Sequence, residues 1–484
     1  MTSLSTSALG APTSGSGARV WRGGELDPQA LAAALRRRGV PGVGLLESGR
    51  SLDDLGRRSY LVGRPLAVAQ AAPGQPLRLL SGPEEWARDL PSDPLRAAAT
   101  LLERARPAGH EPDPEVFTGG ALLTLAYDYG RRLERIGAAT PPEQDPPPDL
   151  HLAIYGRVLV FDHARAELAL RGSGAGLEPD EVEAALVEAR AQPPSAPSSA
   201  EGAAGAESLD RAAYEAMVER ARGLIRRGDL FEVNLSRRHR LPPADPERLA
   251  AALRERAPAA YMADLELGPG RRLLSASPER FLRVSGREVS SWPIKGTRPR
   301  GETPGEDEAL ARELLASEKD AAELAMIVDL VRNDLGRVAR PGSVSVRDPR
   351  RLQSWPAVHH TVALVAAELA EGRDWADLLA AAFPPGSVTG APKVRALEVI
   401  EELEPVRRGL YCGTFGWVGF EGALDLAVAI RICDLTPDHT DVHAGGAVLL
   451  DSDPSGEERE ALAKARALLA ACRAARRESQ GGRP

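Results

Sequence analysis

Lysine is rare in this sequence, so the few positions that keep it are candidates for amine chemistry. Of 61 lysine and arginine residues only four are lysines: Lys295, Lys319, Lys393 and Lys464. An arginine side chain does not deprotonate in proteins, whereas a lysine side chain can become a neutral amine. A chain that uses arginine almost throughout is therefore expected to need an amine at one or more of these four positions.

A carboxyl group and an amine are predicted to lie close together at one end of a β-hairpin. The segment SPERF, which contains Glu279, precedes a turn signal at Ser285-Gly286, and PIKGTRPR, which contains Lys295, follows it. Pairing around this turn places Glu279 and Lys295 near the same end of the hairpin. They can act as general acid and nucleophile if burial or nearby cations lower the pKa of Lys295. A surface ion pair explains the same pattern equally well.

Two predicted helices each carry two carboxylates three residues apart. Asp320 and Glu323 share a face of the helix that begins at Glu318, and Glu457 and Glu460 share a face of the closing helix. Two such pairs can hold one hard cation such as Mg²⁺, with water and substrate completing its coordination. Solvated charge pairs account for the pattern as well, and the pattern alone favours them.

A glycine-rich segment, PPGSVTGAPK, leads into a helix predicted at 389–403. It is not a phosphate-binding P-loop, because Ala391 and Pro392 separate the second glycine from the lysine. Its backbone N–H groups, together with Thr389, can still bind a carboxylate. A plain loop and helix cap is an equally good interpretation.

Arg431 is a charged residue within an otherwise apolar alternating strand predicted at 424–432. A buried arginine needs an anionic partner, which is either an internal acid or a substrate carboxylate. A second predicted strand, 442–450, contains Gly445 and Gly446. Adjacent glycines within a strand indicate a bulge or the close approach of a ligand.

The elements that must position these residues are helices and strands without a regular alternating rhythm, which favours an α+β fold over a doubly wound sheet. The pair His359-His360 is predicted to precede an apolar helix. A Pro- and Ser-rich stretch at 191–207 is typical of a flexible linker between an N-terminal domain (19–190) and a C-terminal catalytic domain (208–476). Residues 1–18 are expected to form a disordered tail, and 477–484 a second tail.

Composition and charge argue against several classes of function. Acidic residues outnumber basic ones by 69 to 61, and the net charge of −8 argues against a general nucleic-acid or anionic-membrane binder. No run of 18 apolar residues predicts a membrane span. The three cysteines lack C-x-x-C spacing, which argues against a disulfide framework or zinc site and suits a reducing, cytoplasmic location.

The ordered motifs resemble the chorismate-utilising enzymes of the anthranilate synthase component I family. Between 210 and 469 the chain contains, in order, SPERF, PIKGTRPR, EKDAAELAMIVDLVRND, VHHTVALV, FPPGSVTGAPK, YCGTFGWVG, AIRIC and AGGAVLLDSDP. LLESG at 45–49 and FTGGALLTLAYDYGRRLERI at 117–136 extend the resemblance more weakly toward the N-terminus. The resemblance implies an α+β fold of two large, mostly antiparallel β-sheets packed as a sandwich, with helices on the outside.

Within this family the residue after PI distinguishes the branches. Anthranilate-forming members read PIAGT and add ammonia directly at C2 of chorismate. Members that form aminodeoxychorismate through a lysine read PIKGT, as this chain does at Lys295. Their lysine attacks C2 as the C4 hydroxyl leaves, and ammonia then attacks C4 and expels the enzyme. The resemblance implies this second branch, which serves 4-aminobenzoate and folate synthesis. Anthranilate synthesis and a non-catalytic chorismate- or tryptophan-binding paralogue are the alternatives.

The resemblance also implies roles for individual residues. Lys295 matches the nucleophile, and Glu279 matches the general acid/base at the C4 oxygen. The positions implied in substrate binding are Gly296, Thr297, His360, Thr389, Tyr411, Arg431, Gly445, Gly446 and Lys464. The Mg²⁺ cofactor is implied at Glu323 and Glu460, with Glu457 and Asp320 beside them. Ser48 and the segment after Pro258 resemble a tryptophan pocket.

The resemblance also implies a partner subunit. No glutaminase segment is recognisable, so the resemblance implies that a separate glutamine amidotransferase subunit supplies ammonia. Free ammonium should replace that subunit.

Three residues depart from the family pattern. Glu232 stands where ammonia-using members have Gln, Ala447 where a third glycine is usual, and Ile432 where Thr is usual. None of the three removes a catalytic group.

Overall fold

The structure of the 484-residue chain is a computed structural model. The structure describes residues 19–22, 26–48, 56–137, 139–191, 205–355 and 358–476. The predicted tails, 1–18 and 477–484, lie outside the described residues, as does most of the predicted linker.

The described residues form mixed helices and strands. The strands are β1 (Arg19–Arg22), β2 (Gly44–Glu47), β3 (Arg58–Val62), β4 (Ala67–Ala71), β5 (Arg78–Ser81), β6 (Gly120–Leu125), β7 (Leu150–Tyr155), β8 (Arg157–Asp162), β9 (Glu167–Gly172), β10 (Ala206–Glu207), β11 (Glu232–Leu241), β12 (Tyr261–Glu266), β13 (Arg272–Ser277), β14 (Arg280–Ser285), β15 (Glu288–Ser291), β16 (Ile294–Pro299), β17 (Ser345–Ser354), β18 (Val358–Glu368), β19 (Gly390–Ala391), β20 (Thr414–Gly419), β21 (Leu424–Val428), β22 (Ile432–Leu435) and β23 (Thr440–Val448). The α-helices are α1 (Pro28–Arg37), α2 (Pro94–Arg104), α3 (Gly130–Leu133), α4 (Pro179–Ala191), α5 (Arg211–Arg226), α6 (Pro246–Arg256), α7 (Pro304–Ala316), α8 (Glu318–Gly336), α9 (Trp375–Ala382), α10 (Lys393–Leu403) and α11 (Pro454–Ala474).

These strands build two large antiparallel sheets in the part of the chain that the structure describes. The first sheet has 12 strands in the order β1-β9-β8-β3-β2-β12-β13-β22-β23-β11-β10, with β19 paired to β11. The second has 11 strands in the order β16-β18-β15-β14-β21-β20-β6-β7-β4-β5, with β17 paired to β18. The predicted α+β fold with two large antiparallel sheets is confirmed.

The N-terminal and C-terminal regions of the chain share both sheets. In the first sheet β2 pairs with β12, where Leu45 lies opposite Asp264. In the second sheet β6 pairs with β20, where Leu122 lies opposite Trp417. One large apolar core contains side chains from both regions. The predicted linker therefore separates two stretches of sequence that complete the same two sheets.

Capping residues fix where the two helices nearest the cleft begin. Ser317 Oγ accepts a hydrogen bond from Asp320 N at the start of α8, and Asp453 accepts one from Gly456 N at the start of α11. Such caps satisfy free N–H groups of the first turn and set the helix start. Helix α8 packs on β16 and β18, and α11 packs on β23. No helix within the described residues is long and apolar enough to cross a membrane.

Two local predictions were wrong because strand pairing replaces a predicted helix. His359 and His360 lie within β18, which pairs with both β16 and β17, and do not precede a helix. The helix predicted at 389–403 begins only at Lys393, because Gly390–Ala391 pairs with the start of β11.

The strand predicted at 424–432 is also interrupted. β21 ends at Val428, β22 begins at Ile432, and Arg431 between them has a left-handed φ of 51°. The hydrophobic alternation continues through this break, which is why the sequence did not reveal it. Ala206–Glu207, which the sequence placed at the end of the linker, pairs with β11.

Candidate active site

A cleft of about 710 Å³ lies between the two sheets and two helices. Its walls come from β11 and β23 of the first sheet, β16 and β18 of the second sheet, and helices α8 and α11. Cavities of roughly 300–1,000 Å³ are typical of sites for small molecules. With the exception of Thr389, every residue predicted for catalysis, substrate binding or metal binding lines this cleft.

Lys295 lies at an irregular point of β16. The register between β16 and β18 shifts between Lys295 and Thr297, and Gly296 has a φ of 75°. A Cβ atom at Gly296 would lie 2.9 Å from Leu314 Cδ1 and 3.0 Å from Asp320 Cγ. Glycine is therefore required both by the backbone conformation and by the close approach of the helices.

The amine of Lys295 is buried and paired. Its side chain is 9% exposed, and its Nζ donates a hydrogen bond to Glu232 Oε1 at 2.6 Å. Burial favours the neutral amine, but the charge and hydrogen bond of Glu232, with the charges of Glu323 and Glu279, raise the pKa of Lys295 above its ordinary value. The condition that burial or nearby cations lower this pKa is therefore not met by these surroundings. A proton acceptor must act before this amine can attack an electrophile.

Glu279 lies between β13 and β14 and faces the same cleft. The predicted hairpin is confirmed, with Ser285 opposite Glu288 across the turn. Burial raises the pKa of Glu279 to about 7, against the opposing effects of a hydrogen bond from Ser387 and the charge of Lys295. A carboxyl group with a pKa near the working pH is suited to general acid/base catalysis. Since Glu279 and Lys295 are both buried, they are not a surface ion pair.

The four predicted metal ligands lie near the starts of two helices that face one cleft. Asp320 and Glu323 come from α8, and Glu457 and Glu460 come from α11. A Cβ atom at Gly446 would lie 3.0 Å from Glu457 Oε2 and 4.0 Å from Glu460 Oε1, so β23 approaches the α11 pair closely. Burial raises the pKa of Glu323 to about 7.

These carboxylates fit a magnesium ion that keeps other ligands, not a complete protein cage. Among the described residues no three histidine, cysteine or acidic side chains converge on one metal position. Mg²⁺ usually binds one or two carboxylates and completes its shell with water and substrate oxygens. Glu323 lines the cleft together with both carboxylates of α11. Glu457 Oε1 accepts a hydrogen bond from Ser452 Oγ at 2.6 Å, and Glu460 Oε1 is bonded to Lys464 Nζ at 2.8 Å.

Arg431 supplies a positive charge to the cleft. Within the described parts of the chain its guanidinium makes no hydrogen bond or ion pair, although it lines the cleft. Burial lowers the pKa of Arg431 from its ordinary value. An unpaired, largely buried guanidinium is costly, and an anionic ligand would remove that cost.

Other predicted substrate-binding residues line the same cleft. His360 Nδ1 is 2.8 Å from Thr297 Oγ1, and its Nε2 has no partner among the described residues. Burial lowers the pKa of His360 to about 4, so the ring is neutral near pH 7. Tyr411 stacks on His443 with ring centroids 5.2 Å apart. Lys464 Nζ donates to Gly445 O at 3.1 Å.

Thr389 does not line the cleft, which corrects the prediction for this residue. Its Oγ1 donates to the carbonyl oxygens of Pro385 and Gly386, and it therefore closes the turn from within. Ser387 and Val388 of the same turn line the cleft instead.

The sequence did not single out several residues that the structure brings to the cleft. Ser387 bonds to Glu279, and His443 stacks on Tyr411. Arg408 donates to Val388 O and Asn234 O, and so ties the Ser387 turn to β11. The Arg-Arg pair after α10 is the one sequence signal for Arg408, and it looks like an ordinary charged loop.

A second, smaller pocket of about 120 Å³ is lined by β2, β3 and β12 of the first sheet and by β14, β20 and β21 of the second. Ser48 lines it, and so do Ala260, Tyr261 and Met262, which follow Pro258. Pro258 itself does not line it. The residues predicted for a tryptophan pocket are thus brought together in part, while occupancy by tryptophan stays a prediction.

Comparison with known proteins gives the following relatives. The sequence model of the chorismate binding enzyme family matches residues 64–470. Anthranilate synthase component 1 of Thermus thermophilus is 43% identical over 387 residues, which are 78% of this chain and 82% of that protein. Aminodeoxychorismate synthase component 1 of Bacillus subtilis is 36% identical over 447 residues, which are 90% of this chain and 93% of that protein.

A solved structure is similar over most of the chain. Anthranilate synthase component I from Streptococcus pneumoniae superposes with a TM-score of 0.73 and 29% sequence identity. The match covers 87% of this chain and 93% of that one.

Proposed function

The chain belongs to the chorismate binding enzymes, and from that premise we propose that it is an aminodeoxychorismate synthase component I. It would convert chorismate and ammonia into 4-amino-4-deoxychorismate, a transfer of an amino group to the substrate ring. The observation that carries this proposal is the amine of Lys295, which lies in the cleft together with the carboxyl group of Glu279.

The two groups divide the chemistry between them. Lys295 forms a bond from Nζ to C2 of chorismate, while Glu279 protonates the C4 hydroxyl group, which leaves as water. Ammonia then attacks C4, the bond between Lys295 and C2 breaks, and Glu279 accepts the proton that the new amine loses. The raised pKa of Glu279, about 7, allows it to hold and release this proton near neutral pH.

The remaining residues hold the substrate. Arg431, whose guanidinium has no partner among the described residues, would bind a substrate carboxylate, and Lys464 and Tyr411 line the same cleft. Gly296, Gly445 and Gly446 also line the cleft. At Gly446 the space that a side chain would occupy faces Glu457, Glu460 and Lys464, so the absent side chain leaves these groups accessible.

Magnesium is proposed as the cofactor. Glu323 and Glu460 would hold it, with Asp320 and Glu457 beside them in the same cleft. The ion would neutralise the C1 carboxylate of chorismate when bound. Glu323 would bind it as the carboxylate, so metal binding is expected to weaken as the pH falls.

The source of ammonia is proposed to be a separate glutamine amidotransferase subunit. The two relatives described above are both named component 1 of their enzymes. We place the product in 4-aminobenzoate and folate biosynthesis and the protein in the cytoplasm.

Product analysis tests the function directly. The purified chain, with chorismate, ammonium and Mg²⁺, is expected to form 4-amino-4-deoxychorismate, detected by liquid chromatography and mass spectrometry. A fluorescent anthranilate product would overturn the proposal. The Thermus thermophilus relative, at 43% identity, favours anthranilate synthase component I as the second candidate. Absence of any turnover, with chorismate or tryptophan still bound, would indicate a non-catalytic regulatory protein.

A further inference from the structure

The amine of Lys295 must lose a proton before it attacks, and one carboxylate is placed to take it. Nζ of Lys295 donates to Glu232 Oε1 at 2.6 Å. Glu279 and Glu323 also face this amine, but they act on it through charge without a hydrogen bond in the described structure. A base must lie within about 2.6–3.2 Å of the proton donor, and Glu232 meets this requirement.

Glu232 is buried and only partly satisfied. It is the first residue of β11, it lies opposite Ala391, and its side chain is 0% exposed. Asn234 Nδ2 donates to the same Oε1 at 3.3 Å, whereas Oε2 has no hydrogen-bond partner among the described residues. Oε2 therefore has room for a donor that the described residues do not supply.

We propose that Glu232 is the catalytic base that takes a proton from Lys295 Nζ and returns it when the lysine is released. This inference rests on the proposed role of Lys295 as nucleophile. It gives Glu232 a function in both halves of the reaction, on the C2 side of the substrate, while Glu279 serves the C4 side.

The protons and electron pairs balance in the first half. The ammonium group of Lys295 gives one proton to Glu232, and the resulting amine forms the N–C2 bond. The two ring double bonds each move by one position, and the C4–O bond breaks as Glu279 protonates the departing hydroxyl to water. The adduct is then a secondary ammonium, Glu232 is neutral and Glu279 is a carboxylate.

The second half restores the enzyme. Ammonia forms the N–C4 bond, the double bonds move back, and the N–C2 electron pair returns to Lys295 as a neutral amine. Glu279 takes the proton that the new ammonium group loses at C4. Glu232 returns its proton to Lys295, which regenerates the starting ion pair and leaves chorismate plus ammonia converted into product plus water.

A transfer within a buried pair has a consequence for pH dependence. The ion pair and its neutral form contain the same number of protons, so adduct formation by the pair releases none to solvent. Glutamine at position 232 cannot accept a proton, and Lys295 would then have to lose it to water. The two cases differ in how the rate depends on pH.

The test compares wild type with Glu232→Gln in the full-length, Mg²⁺-loaded protein. Formation of the chorismate adduct on Lys295 is measured without ammonia, by rapid quench and mass spectrometry of the Lys295 peptide. With Mg²⁺ kept saturating at every pH, wild type is expected to react at a constant rate below neutral pH and more slowly above it, as Glu279 loses its proton. Glu232→Gln is expected to be roughly tenfold or more slower near pH 6, with a rate that rises with pH.

Controls separate the possible failures. Glu398→Gln, an exposed change on α10, is expected to match wild type at every pH. Glu232→Asp keeps a proton acceptor and is expected to keep the constant rate at low pH. If Glu232→Gln melts well below wild type, the Glu232→Asp profile decides instead: a constant rate at low pH supports the proposal, and a rising one overturns it.

Two outcomes distinguish a failure of the Glu232 role from a failure of the proposed function. A wild-type profile in stable Glu232→Gln would overturn the role of Glu232 while leaving the lysine mechanism intact. Turnover by wild type without any adduct on Lys295 would instead overturn the proposed function on which this inference rests.

Discussion

Two buried lysine–carboxylate pairs in this molecule have the same contact distance and different surroundings. Nζ lies 2.6 Å from a carboxylate oxygen both in Lys295–Glu232 and in Lys393–Asp334. Lys393 makes a second hydrogen bond, to Ala382 O at 2.8 Å, and does not line the cleft. Burial lowers the pKa of Lys393, although Asp334 opposes it, whereas the partners of Lys295 raise its pKa.

The comparison shows that a close ion pair does not by itself identify a reactive lysine. The pair at Lys393 ties the start of α10 to the end of α8 and of α9, which is a role in packing. The pair at Lys295 opens onto a cavity that also contains a carboxyl group with a pKa near neutrality. Access of the amine to a ligand, not its pairing, separates chemistry from structure.

The largest effect is expected from a variant that breaks the Lys295–Glu232 pair. Lys295→Ala is expected to reduce turnover by roughly 10³-fold or more, because the nucleophile is removed. Turnover is measured by product formation from chorismate and ammonium. Because Lys295→Ala enlarges a cleft that already exists, its melting temperature should fall less than that of the Lys393 variant described next. Turnover at the wild-type rate would contradict the covalent mechanism.

Breaking the Lys393–Asp334 pair is expected to reduce stability and to leave turnover nearly unchanged. Lys393→Met leaves Asp334 buried without its cation, and removal of one partner of a buried pair typically costs about 3–5 kcal/mol of unfolding free energy. Denaturant unfolding measures this loss. The turnover number per folded molecule should stay within about twofold of wild type, because Lys393 does not line the cleft. A large loss of turnover in fully folded protein would contradict the structural role.

Arg431 in the cleft and Arg395 on α10 allow a second comparison between a cleft residue and a residue outside the cleft. Arg431→Gln is expected to raise KM for chorismate by roughly tenfold to a hundredfold, because a charged hydrogen bond contributes about 1.5–3 kcal/mol. Arg395→Gln, which removes a cation paired with Glu398 on α10, is the matched control and should leave KM unchanged. Equal KM values for both variants would exclude Arg431 from substrate binding.

The smallest expected effect is a pH dependence set by Glu279. Its pKa is raised by burial to about 7, so the protonated form that serves as acid is lost as the pH rises through that value. Between pH 7 and pH 8 the protonated fraction falls about fivefold, and the rate of adduct formation should fall by the same factor. Glu279→Gln should abolish this dependence. A rate that increased over this interval would contradict the assignment.

The sequence predicted those features that depend on neighbouring residues. The hairpin around Ser285-Gly286 brought Glu279 and Lys295 together, and i,i+3 spacing placed Asp320 with Glu323 on one helix face. The resemblance then supplied the two-sheet fold, which local periodicity alone could not arrange.

Features that depend on distant strands were not predictable in the same way. Glu232 meets Lys295 across 63 positions of sequence and from the other sheet, so its role as a partner was visible only in the fold. The left-handed backbone at Arg431 interrupts a strand whose alternation continues, and the turn at Thr389 directs its hydroxyl inward to Pro385 O. In these cases tertiary pairing outweighed the local pattern.

Mass spectrometry of the protein after reaction with chorismate in the absence of ammonia tests the central claim most directly. With four lysines in the chain, a peptide map distinguishes every candidate amine. The proposed function predicts an increase in mass equal to chorismate minus water on the peptide that contains Lys295, and none on the peptide that contains Lys393. An unmodified Lys295 in protein that still turns chorismate over with ammonium would contradict it.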